Sequence, residues 1–545
     1  MSHSAQRVAE LQAEYGSPDL AVAHLLCDRH PADAVAATLV DPDLETVDLT
    51  YGELRERSER LAAGLATLGV GPGSRVAALL PKTVELPVTL LAIWRLGAVY
   101  VPLFTAFAPQ AIALRLLASG ASVVIADAGQ RPKLDPGEDM PSDPPWTIVT
   151  VGEPAAGDVR FDDLAATPAS DAVPVAVGAD GPMVQLYTSG TTGRPKGVVV
   201  PARALASMVA YQEFGLDVSP DDVFWNGADP GWAYGLYYAL IAPLATGRCT
   251  VLLNAGFSAR LTWDVLANLG VTNVASAPTV YRALRSSGIA APAGLALRRC
   301  SSAGEPLNPD IVTWAQDALG VPVRDHYGQT ELGMVVINGW HPDLEAPIRP
   351  GSMGRPMPGF TIGVLAEDSD EPAAPGSLGR VAVNIADSPL MWFSGYDGDP
   401  ATSAEKFTAD GRWYLTGDAG QVDDDGYLFF SSRDDDVIIM AGYRIGPFDI
   451  ESVLSAHPAV AETAVVGVPD AARGEVVEAF VVLRAGFEPA DALAVELATL
   501  VKTRYAAHAY PRRVHFTDEL PKTPSGKIQR FVLRAQRREE LGRGI

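Results

Sequence analysis

The chain has 545 residues, 48% of them hydrophobic and 20% charged, with a formal net charge of -24 from 66 acidic against 42 basic side chains. That length accommodates more than one domain and large buried cores. So acidic a surface repels phosphate backbones and anionic lipid, which excludes general nucleic-acid or membrane-surface binding; an anionic ligand must be caught by a local arrangement of Lys, Arg and backbone N–H groups.

The opening MSHSAQRVAELQAEYG lacks the apolar core of a secretory leader. No apolar run reaches the roughly 18 residues that span a bilayer. Cys27, Cys249 and Cys300 lie far apart without CxxC spacing, which argues against a disulfide framework or zinc site. A cytoplasmic protein is expected. Thr50–Glu53 (TYGE) reads as a capping box, and Leu54, Leu61, Leu65 and Leu68 form one apolar helix face before Gly69. Next come the apolar run 75–80 (RVAALL), a helix ending near Gly97, and the strand-like VYVPL. This βα alternation predicts parallel sheets covered by helices, and it resumes at ASVVIADA, CTVLLNAG, TNVASAP and VPVRDHYG. Residues 128–146, rich in Pro and Asp, read as a surface-loop insertion.

The stretch YTSGTTGRPKGV (187–198) lies between the apolar runs MVQLY and VVV. Its glycines Gly190, Gly193 and Gly197 do not have P-loop spacing, and no Ser or Thr follows Lys196. Small residues still let the backbone curl into an anion-binding nest, with hydroxyls from Thr188, Ser189, Thr191 and Thr192 and a charge from Lys196. A Ser/Thr/Gly cluster can equally be a solvated turn. By itself the stretch says no more than phosphate binding.

Near residue 433 the strand-like GYLFFSSR gives way to DDD and then VIIMAGYRIGPFDIESVL. A compact pattern follows: helix 449–456, strands ETAVVGV and EVVEAFVVL, and helix 490–506. The expected division is therefore 1–433, holding an ATP and acyl site, and 434–545, a small α+β domain.

In order along the chain stand YTSGTTGRPKG, SSAGEPLNP (301–309), DHYGQTELG (325–333), WYLTGDAG (413–420), SRDDDVIIMAGYRIGPFDIE (432–451) and PKTPSGKIQR (521–530). This set closely resembles the adenylate-forming superfamily, which includes acyl-CoA synthetases, firefly luciferases and peptide-synthetase adenylation domains. With DPGW (229–232) and HPAVAETAVVGVPDAARGEVVEAFVVL (457–483), the detail looks most like medium-chain acyl-CoA synthetases. The resemblance implies an α/β fold: a large multi-sheet N-terminal domain and a small mobile α+β C-terminal domain. It also implies a two-step reaction with ATP, Mg2+ and CoA. A carboxylate first forms acyl-AMP and pyrophosphate, and a thiol then displaces AMP.

The family's roles carry over by motif. Glu331 would hold the metal, Thr330 would touch phosphate, and Lys196 and the residues of its loop (Thr188, Ser189, Gly190, Thr191, Thr192 and Gly193) would cradle the phosphates. Gly304, Glu305 and Pro306, with Asp325, His326, Tyr327, Gly328 and Gln329, would line the adenine slot. Asp418 and Arg433 would hold the ribose, and Lys527 would bridge the attacking carboxylate and the α-phosphate. Asp435 matches the hinge, and Gly442 would leave room for the pantetheine arm. Ala441, Tyr443, Arg444, Arg473, Lys502, Tyr510 and Arg512 match positions that approach CoA or switch with the rotation.

Acetate-specific relatives carry a Trp at the place of Gly328 and Val at Ala233 and Ala303, so an acid larger than acetate is expected here. Trp232, Tyr234 and Tyr237 would supply apolar or aromatic walls. Two departures stand out: Ser432 replaces a usual Gly before the hinge Arg, and Val200 replaces a His that often contacts the acyl group. Three readings follow: an acid–CoA ligase running both half-reactions or weak in the first, a loader of a separate carrier protein, and a non-catalytic nucleotide binder. A dimer is compatible with any of them.

Overall fold

Short apolar runs, each followed by a helix, build two largely parallel sheets, because strands covered on both faces need no polar alternation. The computed structural model describes residues 2–169, 173–188, 196–433, 436–440, 443–470, 473–506, 508–523 and 526–542, with the backbone alone for Tyr443 and Arg444. The smaller N-terminal sheet has the strand order Val159–Arg160, Thr147–Val151, Val123–Asp127, Arg75–Leu79, Val99–Pro102, Pro182–Thr188, Lys196–Pro201. All neighbours in it run parallel except the last two, an antiparallel pair with Thr188 opposite Lys196.

The larger sheet has 13 strands among the described residues. Its parallel centre runs Val35–Val40, Thr250–Leu253, Phe224–Asn226, Asn273–Ser276, Arg299–Ala303, Val323–Gln329. Beyond it an antiparallel extension continues through Gly333–Ile337, Ser352–Pro356, Leu428–Arg433 and Trp413–Val422 to Gly379–Asn384 and Ile362–Leu365.

The main core lies between these sheets and contains the helix Glu85–Arg95, apolar on every side. The Trp94 indole donates to the Met183 carbonyl at 2.8 Å, tying that helix to the strand that leads into the Gly-rich stretch. Arg95, only 6% exposed, ends the helix in a two-point pairing with Asp28 (2.6 and 3.1 Å) and a 2.8 Å bond to Ser58.

The expected capping box is present, with the Thr50 hydroxyl and the Glu53 carboxylate exchanging backbone N–H bonds. Leu54, Leu61 and Leu65 are buried, and Gly69 follows at φ +83. The insertion 128–146 joins two adjacent parallel strands, as a loop should. It differs from a purely surface loop in one respect: Leu134, Met140 and Trp146 are buried in the core beneath it. Among the described residues no helix is long and apolar enough to cross a membrane.

Strands from Ile438 onward form a separate sheet: Tyr443–Ile445, Ile438–Met440, Gly474–Leu483 and Val460–Asp470, with Arg513–Phe516 beside Gly474–Leu483. Its core of Ile438, Ile450, Val465, Val477 and Leu497 is its own. The helix Pro447–Ser455 packs this unit onto the large one. Phe448 meets Phe430 edge-on at 6.1 Å, Ser431 donates to Asp449 at 2.9 Å, and Asn308 donates to Ser455 at 3.4 Å.

Removing one partner of a buried ion pair strands the other charge. Asp28→Ala should therefore destabilise the large unit by roughly 3–5 kcal/mol, read as a lowered denaturation midpoint. Thr50→Ala, which removes only an exposed cap, should cost about 1 kcal/mol.

Candidate active site

One continuous cavity of about 1880 Å³ opens where the carboxyl ends of the parallel strands of both sheets converge. Thr188, Asn226, Leu253, Ser276, Ala303 and Gln329, each the last residue of its strand, all line it. Ligands of open α/β sheets bind at this place, because the loops leaving the strands diverge and expose their backbone groups there.

At one side Glu331, 8% exposed, accepts a 2.8 Å hydrogen bond from the Tyr396 hydroxyl. The Lys196 ammonium sits 5.2 Å from the centre of the same Tyr396 ring. The backbone carbonyl of Thr330 is held by the Tyr237 hydroxyl at 3.1 Å. Lys406, which no sequence motif had marked, also faces the cavity and donates to the Thr416 carbonyl at 3.1 Å. Burial lowers its pKa, with Glu331 and Asp418 pulling the other way. Gly417 makes room for it: φ is +78 there, and a Cβ would stand 3.3 Å from the Lys406 Nζ.

Asp418 lies deeper. It accepts from Tyr327 Oη at 2.5 Å and from Gln329 Nε2 at 2.8 Å, and Arg433 Nε lies 3.6 Å from its other oxygen. Burial raises its pKa, while Arg433, Tyr327, Lys406 and Gln329 hold it down. Gln329 is fixed in turn by Tyr414 Oη at 3.1 Å and by the Thr416 carbonyl at 3.0 Å. Neighbouring this group, Gly304 (φ +98) turns the chain into Glu305, which is braced by Thr279 at 2.8 Å and Arg282 at 2.6 Å. Pro306 follows it along the cavity wall.

Asp325, 7% exposed, accepts the Leu307 N–H through one oxygen at 3.1 Å, and its other oxygen is buried without a hydrogen-bond partner. Burial pushes this carboxyl up to about 8. His326 borders the cavity, yet both its nitrogens are engaged, Nδ1 by Tyr211 Oη at 2.7 Å and Nε2 by the Asn338 carbonyl at 3.3 Å. Burial drives its pKa down to about 3, so the ring is neutral.

Lys527 enters from the small unit. Its loop is closed by the Thr523 N–H to Lys527 carbonyl bond at 2.7 Å and packs at Gly526 against Thr279 of the large unit. The side chain stands in the cavity with surface open to a ligand, while the surrounding protein lowers its pKa; Glu305, Asp418 and Glu331 oppose that effect and Arg433 adds to it.

The remaining wall is aromatic and small. Trp232 packs on Phe104 and Phe107 (5.4 and 5.3 Å between ring centres), and Tyr234, Tyr237, Ala233 and Ala303 continue the surface. Gly328 sits at a bulge where any Cβ would lie 2.1 Å from the Gly333 carbonyl oxygen, so this backbone admits no side chain there. Val200, by contrast, is wholly buried opposite Val184 and is not among the residues facing the cavity.

Of the CoA-type positions, Lys502 and Arg512 gather about the Tyr510 ring at 5.5 and 4.0 Å, and Arg473 lies just before the strand Gly474–Leu483 with its N–H on Asp470 at 2.9 Å. None of these four faces the cavity in this arrangement. Ser189, Gly190, Thr191, Thr192, Gly193, Asp435, Ala441 and Gly442 lie outside the described residues, as do the side chains of Tyr443 and Arg444.

Residues 26–396 match the family described as AMP-binding enzyme, and residues 449–527 match the AMP-binding enzyme C-terminal domain. The chain is 36% identical over 495 residues to the acetyl-coenzyme A synthetase of Bacillus subtilis (strain 168), covering 89% of this chain and 84% of that one. It is also 36% identical over 500 residues to the mitochondrial acyl-coenzyme A synthetase ACSM4 of Rattus norvegicus, covering 90% and 85%. The crystal structure of a Brucella canis acyl-CoA synthetase superposes with a TM-score of 0.75 at 44% identity, covering 98% of each chain.

Asp325 titrates at about 8 in the fold against an ordinary 3.8, so the folded chain binds that proton more tightly than the unfolded one. Its ionisation therefore subtracts stability as the pH rises from about 4 to about 8, and the penalty is constant above that. Asp325→Asn removes the titration. Its thermal midpoint relative to the unmodified protein should rise steadily across that window and then level off. A difference independent of pH would show that Asp325 does not titrate there.

Proposed function

The chain belongs to the AMP-binding enzyme family as an acyl-CoA synthetase, and we propose that it activates a carboxylic acid larger than acetate as acyl-AMP and passes the acyl group to CoA. In the first step a carboxylate oxygen attacks the α-phosphorus of ATP, and pyrophosphate leaves with the electron pair of the broken P–O bond. In the second the CoA sulfur attacks the acyl carbon, AMP departs with its oxygen, and the thiol proton passes to solvent.

The observation that carries this reading is Lys527, brought from the small unit into a cavity that already holds Lys196, Glu331 and Asp418. An ammonium there neutralises the two anions, carboxylate and phosphate, that must approach each other. Lys196 and Lys406 add fixed positive charge on the side of Glu331. Asp418 is suited to accept both ribose hydroxyls, since its carboxylate is already oriented by Tyr327 and Gln329.

The donor set also fits Mg2+. Tyr396 occupies one oxygen of Glu331, and among the described residues no cluster of three or more His, Cys, Asp or Glu supplies a complete protein cage. Mg2+ habitually takes one or two carboxylates and completes its shell with phosphate oxygens and water. Glu331 would hold it, and the ion would shield the charge on the phosphates. The small residues Ala233, Ala303 and Gly328 on this wall support an acid larger than acetate. Two cations around Tyr510, with a buried unpaired Arg512 Nε, suit a nucleotide phosphate of CoA. Their position away from the cavity calls for rotation of the small unit between the steps.

A panel of acids, with and without CoA, should give pyrophosphate and acyl-CoA with acids larger than acetate. Lys527→Ala should cut pyrophosphate release about 10²–10³-fold while sparing thioester formation from preformed acyl-AMP. Equal loss of both steps would overturn the role given to Lys527. No pyrophosphate with any acid would overturn the two-step reading.

A further inference from the structure

Four groups form a hydrogen-bonded line from the core to the cavity wall: the Asn338 carbonyl, His326, Tyr211 and Tyr234. The polarity of that line can be worked out from its fixed end. A backbone carbonyl only accepts, so His326 Nε2, at 3.3 Å from it, carries the ring proton. The neutral imidazole then has a lone pair on Nδ1, and the Tyr211 hydroxyl, 2.7 Å away, must donate to it. Tyr211 has no second proton, so the Tyr234 hydroxyl, 3.1 Å from it, donates to Tyr211. Tyr211 and His326 are almost wholly buried, which keeps water from inserting and reversing the order. Tyr234 is the member that lines the cavity beside Trp232, Ala233 and Tyr237.

With its one proton turned inward, Tyr234 offers the cavity an oxygen that can only accept. An acceptor in a largely apolar wall rewards a ligand that brings a donor and penalises one that brings only lone pairs. We propose that the acid activated by this chain carries a hydroxyl or N–H group on its body, in addition to the carboxylate, and that Tyr234 selects it. Tyr211 and His326 are positioning residues that set the direction of the Tyr234 proton. This inference rests on the ligase reading and narrows its substrate class.

Pairs of hydroxy and keto acids on the same skeleton provide the test, since they match in size and differ in donor capacity. Skeletons are aliphatic and aromatic, with the substituent moved along successive positions. At the position Tyr234 reaches, the hydroxy acid should exceed the keto acid about tenfold in kcat/KM, the discrimination expected of one buried hydrogen bond. Tyr234→Phe should bring that ratio to near one. Tyr211→Phe frees the Tyr234 proton to donate as well as accept, so it should raise kcat/KM for the keto acid and bring the ratio toward one, whereas loosened packing would lower both acids. Should the buried Tyr211→Phe variant fail to fold, Tyr234→Phe, which removes only a hydroxyl at the cavity wall, decides alone. Calorimetric binding of each acid supplies the same ratio where turnover is too slow to read. A ratio near one at every position in the unmodified protein, or a preference that survives Tyr234→Phe, overturns the inference and leaves the ligase standing. Pyrophosphate from no acid, hydroxy or keto, overturns the ligase itself and this inference with it.

Discussion

The carboxylate of Asp418 joins three strands, of which Val323–Gln329 is distant in the chain from the other two, Trp413–Val422 and Leu428–Arg433. Tyr327 and Gln329 reach it from Val323–Gln329, and Arg433 reaches it from the end of Leu428–Arg433. Burying an ionised carboxylate is costly unless it is hydrogen-bonded and faces a cation, and here it has both. Those same strands carry the rest of the site. Val323–Gln329 leads directly into Thr330 and Glu331, and Leu428–Arg433 is the last strand before the small unit. One satisfied charge therefore sets the spacing between the Asp418 side of the cavity, its acidic group at Glu331, and the point at which the two units meet.

Around that charge the cavity inverts the character of the whole molecule. A chain with net charge -24 draws Lys196, Lys406, Arg433 and Lys527 to one opening, interleaved with Glu305, Glu331 and Asp418. At such distances, and partly shielded from water, local charges outweigh the diffuse field of the surface. The interleaved acids keep the lysines and arginine from repelling one another before a ligand arrives. The aromatic side follows other rules: ring walls, small residues, and tyrosine hydroxyls whose protons are committed elsewhere.

Much of this was legible in the chain itself. Local rules have local consequences: a capping box needs residues three apart, and a parallel strand needs a short apolar run. The ordered motifs named the family and nominated Lys527, Glu331 and Asp418, because groups that must touch one ligand vary little in kind or order. Lys406 and Tyr396 escaped notice because neither lies in any of the ordered motifs; they matter only because the Trp413–Val422 strand and the Glu331 turn come to lie beside them. Val200 read as a gap in the site, yet its side chain points into the packed core, a question of strand face that the motif could not answer.

Order along the chain alone carried the element pattern, the family, and, as expectations, the two-unit layout and the residue types offered to the phosphates. It took the packed fold to show that His326 spends both nitrogens inside the protein, that Gly328 has no room for a side chain, and that Tyr234 turns its proton away from the cavity. The physical reason is the range of the interactions. Helix caps and hydrophobic periodicity act between near neighbours, whereas the direction of a proton in a hydrogen-bonded line depends on its farthest fixed end. Here that end is a carbonyl more than a hundred residues along the chain from the hydroxyl it orients.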